Sequence, residues 1–126
     1  MNEEERKQAL RMRTKRFAGG IVRLFVKLDR QREEVSILGK QMIRSGTSVG
    51  ANYREASRAR SDAEFIAKIE LCVQEADETL YWLELLNEDC GISKDLTQAL
   101  WNEADELIII FVTMVINTKK RRDQEK

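Results

Sequence analysis

Apolar side chains recur along this chain at steps of three and four over four separate stretches, the spacing that gathers them on one face of a helix. In the first stretch Phe17, Ile21, Leu24, Phe25 and Leu28 form a stripe that predicts a helix over about residues 10–30. The charged MNEEERKQ ahead of it, residues 1–8, reads as a frayed lead-in. In the second, Leu38, Met42, Gly46, Val49, Tyr53 and Ala56 predict a helix over about 36–58, reached through a connection at 31–35 that no Gly or Pro marks. The third is the most regular. Ser61 and Glu64 make a capping box, and Phe65, Ile69, Cys72, Ala76, Thr79, Leu83 and Leu86 then step by four and three like a coiled-coil seam, over about 62–88. Gly91 is placed to stop that helix and Ser93 to cap the next. The fourth, about 94–120, carries Leu96, Leu100, Ala104, Leu107, Phe111, Val115 and Thr118 on one face. Four amphipathic helices joined by short turns predict an all-α fold, an antiparallel up-down-up-down four-helix bundle, as a single domain spanning residues 1–126.

Composition supports the class and removes chemistry. The 126 residues include no proline, and charged side chains make up 35%, which suits long helices and disfavours a sandwich or barrel. Histidine is absent. That excludes Ser-His-Asp and Cys-His catalysis, His-ligated zinc and the Glu-x-x-His ligands of di-iron bundles. Cys72 and Cys90 cannot form a metal site alone, and Cys72 falls on the apolar face as a buried, inert thiol. The acidic row Glu70, Asp77, Glu84 and Glu88 reads as solvated or arginine-paired rather than catalytic. No enzymatic activity, cofactor or metal is expected. The longest apolar run, Leu107 to Ile116, is half the roughly 20 residues a membrane span needs. With free cysteines and no signal peptide, a soluble protein of the reducing cytoplasm is expected.

The second helix is unusual in content. Gly46 and Gly50 each cost about 1 kcal/mol against Ala inside a helix, and four residues apart they fall on neighbouring turns, so a close helix contact is the simplest reason for both. Ser45, Thr47, Ser48 and Asn52 bond their own i−4 carbonyls or reach across an interface. GTSVG is no phosphate-binding loop, since neither a preceding strand nor a Gly-Lys-Ser/Thr ending is present. Three stretches, RSGTSVGANYREA (Arg44 to Ala56), RARSDAEFIAKI (Arg58 to Ile69) and QEADETLYWLELL (Gln74 to Leu86), resemble the four-helix-bundle family of ribosomal-RNA intervening-sequence proteins. The accessory protein of diversity-generating retroelements, its accessory variability determinant, is related to that family. The resemblance implies a homopentameric ring, binding of structured RNA or DNA, and a reverse transcriptase as partner.

Net charge is zero, with 22 basic and 22 acidic side chains, yet residues 1–60 hold 15 of the basic against 7 acidic, while 61–118 hold 2 against 13. Arg16, Arg23, Lys27 and Arg30 line up on the first helix, away from its apolar stripe. They form either a solvated face or a phosphate-contacting strip. Lys119, Lys120, Arg121 and Arg122 suit the negative pole of the last helix or a nucleic-acid contact. Leu71, Trp82 and Leu85 on the third helix and Trp101, Ile109, Val112 and Ile116 on the fourth lie off the core faces, a surplus that points to an oligomer interface. Two functions remain open: an oligomeric nucleic-acid-binding accessory protein, or an interaction scaffold whose charges serve subunit docking.

Overall fold

Caps and turn geometry fix four helices in a computed structural model that describes residues 1–125: α1 (Glu3–Lys27), α2 (Glu33–Ala56), α3 (Asp62–Glu88) and α4 (Lys94–Gln124). No strand occurs among the described residues. The lead-in is helical rather than frayed. Asn2 caps α1 by accepting from the Glu5 backbone N–H at 2.8 Å, and Glu3, Glu4 and Glu5 in the first turn complement the helix dipole. At the other end α1 stops at Lys27, because Leu28 leaves the helix in an extended conformation and buries its side chain. The connection is therefore 28–32, and Arg30 lies in it rather than on the helix. Ser61 caps α3 through the Glu64 N–H at 3.1 Å, and Ser93 caps α4 through the Asp95 N–H at 3.1 Å. Gly91, with φ +74°, occupies the left-handed conformation that releases the chain from α3.

Each helix runs antiparallel to both neighbours. Along α1 and α2, Leu28 and Phe25 meet Gly39, Ile21 meets Gly46, and Thr14 meets Gly50. Between α2 and α3, Arg44 reaches Glu75 and Glu78, Val49 accepts from Cys72, and Glu55 pairs with Lys68. From α3 to α4, Trp101 bonds Glu84 and Arg121 bonds Asp62. Arg13 on Glu103 and Gly20 on Leu100 close the ring between α1 and α4. The result is an up-down-up-down bundle in which α1 packs least on α4.

The core follows the predicted faces closely. Phe17, Ile21 and Leu24 of α1, Met42, Val49 and Tyr53 of α2, Ile69, Cys72, Ala76, Leu83 and Leu86 of α3, and Leu107 and Phe111 of α4 are buried together. Phe65 and Leu100 are half-buried and Leu96 is exposed, whereas Ile66, Leu80 and Thr97 are buried without having been on the predicted stripes. The bundle is four-sided, so each helix faces two neighbours and buries a strip wider than one seam. Ser45 and Thr79, both fully buried, share a 2.7 Å hydrogen bond across α2 and α3, and Thr79 also donates to the Glu75 carbonyl. Thr47, Ser48 and Asn52 instead bond the carbonyls of Ile43, Arg44 and Ser48 one turn back. These bonds satisfy the polar side chains inside α2 without breaking its backbone ladder.

Candidate nucleic-acid and assembly surfaces

Arg16, Arg23 and Lys27 stand exposed on the outward side of α1, and none of them is in a salt bridge among the described residues. The Arg23 guanidinium lies back along the helix over Gly19, where a Cβ would stand 3.2 Å from its Nη1. Arg30 departs from the predicted row. It folds over the end of α1, donating from Nη1 to the Phe25 carbonyl at 2.7 Å with its guanidinium 4.6 Å above the Phe25 ring. There it complements the helix dipole and a π face at once. A hollow of about 390 Å³ beside this row, between α1 and α2, is walled by Thr14, Ala18, Thr47 and Gly50, with Lys15 and Arg54 at its edges. Sequence reasoning missed Lys15 and Arg54, because only the register of α2 on α1 brings them together.

Arginines that face a neighbouring helix are consumed internally. Arg13 makes a bidentate pair with Glu103, at 2.8 and 2.7 Å, with Glu106 3.3 Å away, and its guanidinium pKa is raised by that hydrogen-bonded pairing. Arg44 holds Glu78 at 2.8 Å and Glu75 at 3.4 Å. Burial still leaves the Glu75 carboxyl above the usual range, because its lost hydration outweighs the attraction of Arg44.

The four basic residues of the tail are spread around the end of α4. Lys119, Lys120, Arg121 and Arg122 lie within α4, and consecutive helical positions point to different sides. Arg121 pairs with Asp62 at 2.7 Å and Glu125 at 3.3 Å, Arg122 is half-buried, Lys119 borders the α3/α4 groove, and Lys120 is exposed.

Off-seam apolar residues divide into two sets. Leu71, Ile109, Val112 and Ile116 are exposed, Ile109 by 60%. Val112 and Ile116 line a groove of about 340 Å³ between α3 and α4, with Val73 and Ile108 at its base and Glu70 and Asp77 on its rim. Trp82, Leu85 and Trp101 are half-buried instead. Trp101 packs on the core and donates from Nε1 to Glu84 at 2.9 Å. Trp82 also packs on the core, tilted against Tyr81 with ring centroids 5.1 Å apart. Large enough to reach back under the helix, both indoles find cover within the subunit. Exposed apolar side chains that the seams did not announce are Met12, Val22 and Val26 on α1, Ile37 on α2 and Tyr81 on α3. Met12, Val22 and Val26 could have been read from a second, outward spacing on α1, interleaved with its cations.

Among the described residues no three His, Cys, Asp or Glu side chains assemble as a ligand set, and no helix is long and apolar enough to cross a membrane. Cys72 is fully buried, its Sγ donating to the Val49 carbonyl at 3.6 Å, and burial pushes its thiol up to about 12. Such a thiol is no nucleophile at neutral pH.

A four-helix bundle with an unpaired basic face on α1 and an acid-rimmed apolar groove between α3 and α4 is thus the class of protein that fold and surface define. Residues 6–112 match the family described as 23S rRNA-intervening sequence protein, and the chain belongs to that family. A solved structure described as a protein with unknown function from the S23 ribosomal protein family of Bacteroides thetaiotaomicron VPI-5482 is similar to it. The likeness has a TM-score of 0.77 and 37% identity, and it covers 86% of this chain and 96% of that one. No curated protein matches.

Proposed function

We propose that this protein is a non-enzymatic, homo-oligomeric accessory protein of the cytoplasm that binds structured RNA through the outward face of α1. The observation that carries the reading is the split among its cations. Arg11, Arg13, Arg44 and Arg121 are held by partners within the bundle, while Arg16, Arg23 and Lys27, with Lys15 and Arg54 beside them, are left to the solvent on one face. The family's name ties it to an RNA. Repetition of a three-cation strip around an oligomer multiplies a weak contact into an avid one. Binding of DNA in the same strip follows from the same phosphate chemistry, whereas a reverse transcriptase partner rests on the sequence resemblance alone.

Affinity for a structured RNA is expected to fall steeply with salt, the logarithmic slope growing by roughly 0.7 to 0.9 for each phosphate neutralised. Arg23→Glu with Lys27→Glu should abolish most of that binding and flatten the slope, leaving helicity and subunit number unchanged. Absence of salt-sensitive binding by the wild-type protein at low ionic strength overturns the reading.

A second reading has its own observation. The groove carrying Val112 and Ile116 is rimmed by Glu70 and Asp77, and the outward side of α1 sets Val22 and Val26 among cations. One copy's α1 therefore complements another's groove in charge and in apolar character, a head-to-tail contact of the kind that closes rings such as the pentamer. On this scaffold reading the same double reversal breaks the assembly rather than RNA binding.

A further inference from the structure

Between the start of α1 and the later turns of α4 lies a cleft of about 420 Å³, within the range of small-molecule sites. Its walls are apolar: Leu10 of α1, Phe65 of α3, and Ile110 and Met114 of α4. Tyr53 of α2 also lines it, and Glu3, Arg6, Lys7 and Arg13 are its charged members. Tyr53 is 2% exposed and its ring lies on Phe111 in the core, 6.1 Å between centroids. Its hydroxyl has no hydrogen-bond partner among the described residues, the atom is not sealed in, and the residue lines the cleft, with the charges of Arg11 and Glu4 also acting on the phenol. A phenol buried this deeply ordinarily finds a partner. At the mouth stand Arg6 and Lys7. Lys7 has only the exposed Glu3 at 3.6 Å, Arg6 is in no salt bridge among the described residues, and Arg13, also on the wall, is already held by Glu103.

From this combination we infer that the cleft is a binding site for a single-chain anionic amphiphile, a fatty-acid carboxylate. The acyl chain lies against Leu10, Phe65, Ile110 and Met114. Arg6 and Lys7 hold the carboxylate at the mouth, and the Tyr53 hydroxyl donates to it or to a water it carries inward. Charge selects the head: Glu3 also lines the mouth, but Arg6, Lys7 and Arg13 outnumber it, so a carboxylate head is favoured over a quaternary ammonium one. The site is independent of the RNA-binding face, which lies on the outward side of α1.

Titration of the purified full-length protein with dodecanoate, followed by calorimetry and native mass spectrometry, tests the inference. One equivalent per subunit is expected, with no competition from dodecyltrimethylammonium. Tyr53→Phe should weaken binding about three- to tenfold, the worth of one hydrogen bond. It should leave the melting temperature of the unliganded protein equal or higher, because the hydroxyl has nothing to lose in the empty cleft. Arg6→Glu should weaken binding further, and Ile110→Trp should fill the cleft and abolish it. Equal affinity of the wild type and Ile110→Trp for dodecanoate, or equal binding of the cationic amphiphile, overturns the inference. So does a drop in subunit number with Ile110→Trp, which would make a second copy the occupant.

Discussion

At the scale of a residue, burial rather than sequence neighbourhood decides chemistry. Cys72 is flanked by Leu71 and Val73 and sits near Glu70 and Glu75 in the chain, yet its reactivity is set by the complete loss of water around its sulfur. Burial holds the folded thiol at about 12, while the unfolded thiol titrates near its ordinary value of about 8.5. A raised acid keeps its proton in the folded state and releases it in the unfolded one. Its contribution to stability is therefore complete below about pH 8.5 and declines as pH rises toward 12, by about 1.4 kcal/mol per unit. Urea midpoints measured from pH 8 to 11 should fall more steeply for the wild type than for Cys72→Ala. Equal slopes would mean that the thiol is solvated. The apolar face on which Cys72 lies was legible in the sequence, whereas its complete burial required the packing of the bundle around it.

Glycines show how the same residue type acts differently once helices are packed. Gly19 and Gly46 both lie inside helices, and sequence alone treats both as a cost. In the bundle, a Cβ on Gly46 would stand 2.8 Å from Ile21 Cγ1 and 2.9 Å from its Cγ2, and Ile21 is fully buried and β-branched. It has no room to move. A Cβ on Gly19 would meet only the free end of Arg23, at 3.2 Å. Gly46→Ala is accordingly expected to lose stability by about 1 to 3 kcal/mol despite the better helix former. Gly19→Ala should gain up to about 1 kcal/mol. Equilibrium denaturation of the two variants beside the wild type checks both signs, and stabilisation by both would place α1 farther from α2 than the structure does. The spacing of Gly46 and Gly50 announced a close contact. Which helix made it did not follow from spacing, since any of three partners would have satisfied the pattern.

For the molecule as a whole, exposed apolar area lies on α1 and on the α3/α4 side, and the candidate interface shrinks because both indoles pack on the core, although the Trp82 Nε1 finds no partner there. Assembly, if driven by this surface, depends on Leu71, Ile109, Val112 and Ile116 and not on Trp101. Sedimentation at micromolar concentration should show a wild-type oligomer of five subunits. Ile109→Glu with Ile116→Glu should reduce it to smaller species with helicity retained, and Trp101→Phe should leave its size unchanged. A wild-type monomer would remove both the ring and the reasoning from surplus hydrophobes.

Sequence by itself determined the helices, their apolar faces and the start of α3, because a period near 3.6 and a capping box are local properties carried by neighbouring residues. It also removed histidine-dependent chemistry, since a chain with no histidine cannot supply one by folding. Two local signals were weaker: the start of α1 at Asn2, hidden in a charged run, and its end at Leu28, where no Gly or Pro stands. Only the tertiary structure decided which cations are free. Arg13 and Arg16 are three residues apart on one helix, yet one finds Glu103 across the bundle and the other finds solvent. Only the tertiary structure, too, opened the cleft at Tyr53, built from residues of four helices. Periodicity states which side of a helix turns inward, but the register between helices, fixed by how side chains and glycines interlock, states what each inward or outward residue meets.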